Sequence, residues 1–123
     1  IIMLDYDGET SAQFDNVYGN GHSFTLPAGK IINVYGAGND NQDYDKDASG
    51  GNVTINGNAK VTGYVYGGHV NKGSANNNTV NISGGTISSV GMTTYVYGGY
   101  AKNGSANNNI VNISGNADVT GYV

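Results

Sequence analysis

The feature that most constrains this chain is an internal repeat. The stretch VYGGHVNKGSANNNTVNISGG at residues 65–85 returns almost unchanged as VYGGYAKNGSANNNIVNISGN at residues 96–116. The box VYG begins four times, with spacings of 34 − 17 = 17, 65 − 34 = 31 and 96 − 65 = 31, at Val17, Val34, Val65 and Val96. A repeated unit of this length predicts a fold in which each unit stacks on the one before it.

A second box defines the unit more closely. It reads VTINGNAKVTGYV from Val53 and VNISGNADVTGYV from Val111, with a looser copy VNISGGTISSVGMTTYV from Val80. The two boxes give a basic unit of 27 residues, because 65 − 53 = 12 and 80 − 65 = 15. Four further residues are inserted between Val34 and Val53, and four more around residues 89–94. Insertions that leave both boxes intact are predicted to form loops at the edge of the stack.

The apolar pattern within a unit is that of a strand. VTI and VNI alternate apolar and polar residues, as a strand with one buried face does, whereas the frequent Gly, Asn and β-branched residues disfavour helix. Runs this short bury little alone, but equivalent runs stacked about 4.8 Å apart share one core. The sequence therefore predicts an all-β parallel β-solenoid of about four coils of 27–31 residues, with no helix and with bends at SGG, NGN and YGG. Residues 1–16 are predicted to be a lead-in or atypical coil, and residues 17–123 one continuous domain, a fragment of a longer repeat array.

Asparagine recurs in register with the repeat. NNN occurs at residues 76–78 and again at 107–109, so the two copies are predicted to lie one above the other. Stacked amides can hydrogen-bond along such a column. The alternative is an ordinary polar loop.

Tyrosine forms two columns, one at residues 18, 35, 66 and 97 and another, two residues earlier, at 64, 95 and 122. Residues two apart share one face of a strand, so valine of the VYG box takes the other face. Asn16 and Asn33 replace the earlier tyrosine in the first units, which favours an outward tyrosine and an inward valine. The reverse orientation remains the alternative. An outward stripe would either brace the strands or meet a partner, and its central members are Tyr64, Tyr66, Tyr95 and Tyr97.

The segment GNDNQDYDKDASGG at residues 38–51 carries a candidate metal site. Positions 1, 3, 5 and 7 of a calcium loop are matched by Asp43, Asp45, Asp47 and Ser49. The pattern departs at Ala48, where glycine is expected, and at Thr54, where glutamate is expected. The alternative is a solvated acidic loop. A smaller acidic cluster is predicted to be a solvated turn, and it consists of Asp5, Asp7 and Glu9.

Composition narrows the classes of function. Five lysines, no arginine and nine acidic residues give a net charge of −4, which does not suit nucleic acid. From Val53 onward the only acidic residue is Asp118, so no carboxylate pair for hydrolysis is expected in the repeats. His22 and His69 lack a second ligand at zinc spacing and are predicted to be exposed loop residues. The sequence thus predicts no enzyme, no cofactor except calcium, and no membrane insertion, since the longest aliphatic run is IIML.

The repeats resemble a known class of protein. VYGG, an Asn-rich segment and then VNISGG or VNISGNADVTG are similar to the repetitive passenger regions of bacterial surface adhesins secreted by the autotransporter or two-partner routes. The resemblance is good over residues 53–123 and loose over 17–51. It implies a right-handed parallel β-helix, a secreted or bacterial cell-surface location, and a role as an adhesin or stalk.

Three hypotheses for function follow. The first is a non-enzymatic adhesin or stalk segment, whose variable loops at residues 40–50 and 69–74 meet a surface protein or glycan. The second is a fibre subunit, in which the unpaired edge of one solenoid end pairs with another copy. The third is a glycan-binding or glycan-processing solenoid.

Overall fold

The chain is described by a computed structural model over residues 13–123. Within this range it forms strands and no helix, and the strands stack in parallel as a β-solenoid of about three turns. The predicted all-β solenoid is confirmed, but the predicted number of coils, about four, is slightly too high. The first turn is short, because the 17 residues from Val17 to Val34 pass between two sheets without forming the third side of a full coil.

The strands are short except for two of nine residues. In chain order they are β1 (Gln13–Tyr18), β2 (Ser23–Leu26), β3 (Lys30–Gly38), β4 (Ala48–Ser49), β5 (Asn52–Ile55), β6 (Lys60–Val61), β7 (Tyr64–Lys72), β8 (Ala75–Asn76), β9 (Thr79–Ile82), β10 (Thr86–Ile87), β11 (Tyr95–Tyr97), β12 (Tyr100–Asn103), β13 (Ile110–Ile113) and β14 (Asp118–Val119). The lead-in predicted for residues 1–16 overlaps β1 at residues 13–16, and its other residues lie outside the described part of the chain.

Three sheets enclose the coil. The first runs in the order β11-β7-β3-β6-β10-β14, with β1 paired to β3 and β12 paired to β7. The second runs β13-β9-β5-β2, and the third consists of β4 and β8. Val17 pairs with Val34, Val34 with Val65 and Val65 with Val96, so the four VYG boxes stack in register.

The main core lies between the first two sheets and is made of the inward residues of each repeat. Val53 and Ile55 of VTI are fully buried, whereas Thr54 between them is partly exposed. The valines of the VYG boxes belong to the same cluster, which confirms the inward orientation predicted for them. The cluster comprises Val17, Phe24, Leu26, Ile31, Val34, Val53, Ile55, Ala59, Val61, Val65, Val80, Ile82, Ile87 and Val96.

A second, smaller core lies beside the third sheet. Ala48 and Ala75 pack there against Ala37 and Val70 from the far halves of β3 and β7. Val65 and Val70 both face a core although they are an odd number of residues apart, so the alternation of β7 shifts between them. The shift falls at Gly67 and Gly68. The prediction that YGG forms a bend is therefore wrong at residues 66–68, which continue β7, and correct at residues 97–99, where Gly98 lies in a bend. NGN at 56–58 and SGG at 83–85 form a turn and a bend as predicted.

Both predicted insertions form loops outside the stacked strands. Residues 39–47 connect β3 to β4, and residues 88–94 connect β10 to β11. The second insertion is five residues rather than four, because 95 − 87 = 8 whereas 64 − 61 = 3 between paired positions. The SGG bend is one residue shorter in compensation, since 87 − 82 = 5 whereas 61 − 55 = 6. The variable loop predicted at residues 69–74 is mostly strand, because β7 extends to Lys72.

Candidate functional site

The outer face of the first sheet carries the tyrosines. In the inner column the ring centroids are 5.0 Å apart for Tyr18 and Tyr35, 5.1 Å for Tyr35 and Tyr66, and 5.3 Å for Tyr66 and Tyr97. The planes of neighbouring rings differ by 16° or less. Parallel pairing of strands places equivalent side chains one above another, so the repeat itself produces this stack.

The outer column stands beside the inner one. Tyr64 and Tyr122 each lie 5.4 Å from Tyr95 between ring centroids. The two columns touch, since Tyr64 lies 5.8 Å from Tyr66 and Tyr95 lies 5.8 Å from Tyr97. The four tyrosines predicted to form a partner-binding stripe are thus brought together, although their role stays a prediction.

The stack presents edges and hydroxyls rather than open ring faces. Each internal ring is covered on both sides by its neighbours, and Tyr35 and Tyr66 are only 3% and 8% exposed. The predicted outward orientation is correct, but Tyr66 is not an exposed member of the stripe. A sugar ring binds an aromatic residue through the face of its ring, so this geometry favours mutual bracing over glycan stacking.

His69 and Tyr100 extend the aromatic face, which was not predicted. Their rings are stacked at 4.9 Å, and His69 meets the edge of Tyr66 at 4.6 Å. The Nδ1 atom of His69 lies 2.8 Å from the carbonyl oxygen of Asn39. His69 lies in β7 and is half-buried, so its prediction as an exposed loop residue is wrong, whereas His22 is exposed between β1 and β2 as predicted. The signal was available, because His69 and Tyr100 follow equivalent VYGG boxes.

Burial changes the acidity of the inner column. It raises the pKa of both Tyr35 and Tyr66 well above the usual value near 10, and the charge of neighbouring Asp40 adds to the effect at Tyr35. Burial also raises the pKa of Tyr97 and, together with Asp40, that of Tyr18. Tyrosine is already neutral at physiological pH, and the raised pKa keeps the inner column neutral into more alkaline solution, so it offers hydroxyl groups, not charges.

A buried asparagine ladder joins the third sheet to the second. The Asn78 amide accepts from the Gly51 N–H at 2.9 Å and donates to the Ala48 carbonyl at 3.0 Å. It also donates to Asn109 Oδ1 at 3.1 Å, and Asn109 in turn donates to the Ala75 carbonyl at 2.7 Å. The predicted amide column is confirmed, and it lies at a corner of the coil rather than on a free surface.

Two further asparagine ladders lie nearer the surface. Asn81 donates to Asn52 at 3.2 Å and Asn112 donates to Asn81 at 2.9 Å on the outer face of the second sheet. Asn33 donates to Asn16 at 3.1 Å, at the position that the outer tyrosine column takes in the later coils. Within residues 13–123, every buried side-chain nitrogen and oxygen atom of residues that are not exposed has a hydrogen-bond partner. The asparagines of these ladders thus join neighbouring coils through hydrogen bonds between their side chains.

The four residues of the predicted calcium loop are only partly brought together. Asp47 and Ser49 line one cleft of about 130 Å³, which Asp43 and Asp45 do not line. The Asp47 carboxylate accepts from the Ser74 N–H of the next coil at 2.9 Å. In the described part of the chain, no three His, Cys, Asp or Glu side chains group in a way that could hold a metal ion. The calcium site stays a prediction, and the cluster of Asp5, Asp7 and Glu9 lies outside the described residues.

The class that this geometry defines is a β-solenoid repeat protein with polar ladders and an aromatic face. No family model, curated protein or solved structure matches the chain. Residues 13–123 contain no helix of the length and hydropathy needed to cross a membrane.

Proposed function

We propose that this chain is a non-enzymatic segment of a bacterial surface adhesin or stalk, a secreted rod whose coils set reach and whose loops meet partners. The observation that carries the proposal is the continuity of its columns. Valine, tyrosine and asparagine each stack from coil to coil, so the side chains of the regular part of the chain stabilise the contact between coils. A scaffold of this kind is lengthened by adding coils without changing its cross-section.

Adhesion would fall to residues that the stack does not use. Of the two inserted loops in the described residues, the loop at 39–47 is the one that carries charged side chains. Asp40, Asp43 and Asp45 in this loop are exposed. Such a loop suits a surface protein or glycan as partner, because exposed polar residues on a rigid scaffold can bind a partner without disturbing the fold.

The rod proposal is tested by changing the number of coils. A variant with ten further copies of residues 65–95 should remain monomeric, and its solenoid axis should lengthen by roughly 48 Å, about 4.8 Å for each added coil. The axis is then the largest dimension in small-angle X-ray scattering. A variant with an equally long Gly/Ser linker appended after Val123 is the control for added chain length. An increase no different from that of the control would contradict the rod.

We further propose that this loop binds calcium, and calorimetry tests the proposal. Titration of the chain with calcium should release or absorb heat and raise the unfolding midpoint if Asp43, Asp45, Asp47 and Ser49 bind the ion. The variant Asp45→Asn should lose both effects. Absence of heat and of stabilisation at millimolar calcium would remove the site.

We also propose, as a second candidate, a fibre subunit in which β13 of one copy pairs with another copy. Ile113 is 44% exposed although its partner in the register, Ile82, is fully buried. A second copy pairing with this edge would cover Ile113, and Ile113→Asp should then abolish filaments seen by electron microscopy. Ile110→Asp is the matched control, since Ile110 lies in the same strand but at the register position of outward Thr79. Monodisperse short rods at all concentrations would exclude the fibre.

A further inference from the structure

The outer tyrosine column holds equivalent phenol rings next to one another at the surface. Tyr64, Tyr95 and Tyr122 are held in register on successive coils, with centroids 5.4 Å apart and ring planes 23° apart. Parallel pairing fixes their backbones about 4.8 Å apart. Each phenol therefore has an identical phenol as its fixed nearest neighbour along the column.

Neighbouring phenols can be joined by oxidation. A one-electron oxidant removes an electron and a proton from each phenol, which leaves two phenoxyl radicals. The radicals combine at ring carbons ortho to the oxygens, forming one carbon–carbon bond. Each of these carbons then loses its hydrogen as a proton while its phenolic oxygen gains one, so both rings become aromatic again. With hydrogen peroxide as the final oxidant, two phenols and one peroxide give one linked biphenol and two waters.

We propose that the outer column is a site of oxidative cross-linking, at which adjacent members of Tyr64, Tyr95 and Tyr122 are joined ring to ring. The oxidant belongs to the class of haem peroxidases acting with hydrogen peroxide. Holding the two rings together makes their coupling effectively unimolecular, which favours it over coupling between molecules.

Exposure directs the reaction to the outer column. Tyr64 and Tyr95 are partly exposed and Tyr122 is 65% exposed, so each can transfer an electron and a proton at the surface. In the inner column Tyr18 and Tyr97 are also partly exposed, but every neighbouring pair within that column includes Tyr35 or Tyr66, which are buried. Burial also raises the pKa of Tyr66, which makes release of its proton less favourable.

The product would be a covalent bond between coils. A link from Tyr64 to Tyr95 closes a loop of 31 residues, since 95 − 64 = 31. Cross-links of this kind stabilise a fold by restricting the unfolded chain, as disulfides do, and this chain has no cysteine. The inference goes beyond the proposed stalk and does not depend on it.

The test is oxidation of the dilute chain by a haem peroxidase and hydrogen peroxide, followed by trypsin digestion and mass spectrometry. Cleavage after Lys60, Lys72 and Lys102 places Tyr64, Tyr95 and Tyr122 in three different fragments. The expected product is a pair of fragments lighter by two hydrogen atoms than their sum, linked at Tyr64 and Tyr95 or at Tyr95 and Tyr122. The oxidised chain should show dityrosine fluorescence and a higher urea midpoint.

Two variants in one strand provide the control. Tyr95→Phe should abolish the links within the outer column, because it leaves Tyr64 and Tyr122 without a neighbouring phenol in that column, whereas Tyr97→Phe in the inner column should retain them. Both keep the stacked ring, and circular dichroism checks that they fold. Links confined to the inner column, links only between molecules, or unchanged links in Tyr95→Phe would overturn the proposal. So would an equal yield from the chain unfolded in urea, a comparison that needs no variant.

Discussion

Gly68 and Asn78 share one small volume inside the coil. A Cβ atom on Gly68 would lie 2.8 Å from Asn78 Cγ, and one on Gly99 would lie 2.6 Å from Asn109 Cγ. The preceding coil has Ala37 in place of the second glycine, and Gly51 holds the position of the ladder asparagine there. The change from GG to GA is therefore matched by the change from Asn to Gly, and a buried amide explains why the box needs its second glycine.

This exchange predicts a coupled pair of substitutions. Gly68→Ala should destabilise the fold by about 1–3 kcal/mol through overpacking. Asn78→Gly should also destabilise, because it leaves the Gly51 N–H and the Ala48 carbonyl unpaired, at about 1–3 kcal/mol for each group. The double variant recreates the pairing of Ala37 with Gly51, so urea unfolding should show a loss smaller than the sum of the two. Simple additivity would contradict the shared volume.

The inner tyrosines predict a loss of stability in alkali. Tyr35 and Tyr66 hold their phenolic protons more tightly when folded, since burial raises their pKa. Stability from these groups is complete below about pH 10, the pKa in the unfolded chain, and falls as the pH rises above it. Urea midpoints measured at increasing pH should decrease less steeply in Tyr35→Phe than in the parent. Tyr44→Phe, outside both columns, is the control, and an equal change in both variants would count against burial as the cause.

At the scale of strands and loops, the repeat was readable because each short apolar run is one strand and the turns between runs are marked by glycine or asparagine. VTI and VNI became β5 and β9 as predicted, with Val and Ile buried. The continuation of β7 through YGG was not readable, because glycine usually marks a turn and here admits the Asn78 side chain. The place of His69 also escaped prediction, although its position after the VYGG box is equivalent to that of Tyr100 and carried the signal.

The second insertion should be dispensable. Deleting residues 89–93 restores the spacing found between Val61 and Tyr64 and removes Val90 and Met92, which are exposed. Because shortening a surface loop changes closure entropy only slightly, the free energy of unfolding should change by no more than about 1 kcal/mol. Circular dichroism and urea unfolding measure this. Deletion of residues 79–83, equally long but containing β9, is the matched control and should abolish folding; a similar loss in both would show that the loop supports the stack.

At the scale of the whole molecule, stability is distributed along one dimension. Each coil contacts only the coils before and after it, so the share of a strand in the core depends on how many neighbours it has. β9 lies between β5 and β13, whereas β13 pairs within the described residues only with β9. The sequence predicted the stack itself, but not this gradient of burial from Ile82 to Ile113.

Hydrogen exchange should follow this gradient. Amides of Thr79–Ile82 are expected to exchange about tenfold or more slowly than those of Ile110–Ile113, because the last coil can open without the rest. Mass spectrometry of overlapping peptides measures both segments in one sample. Equal protection would indicate that the coils open together, or that another copy covers the last one; dilution distinguishes these, since only association depends on concentration.

The two insertions also bear on how the chain avoids misfolding. Near-identical coils invite an error in which a strand pairs with the wrong copy, one full repeat out of step, and most of its valines would still be buried. The loop at 39–47 and the loop at 88–94 interrupt the unit at different points. A chain displaced by one repeat would therefore have to accommodate a loop where its neighbour runs straight, and would lose the contact between Asp47 and Ser74. The two loops thus favour the correct register between otherwise similar coils during folding.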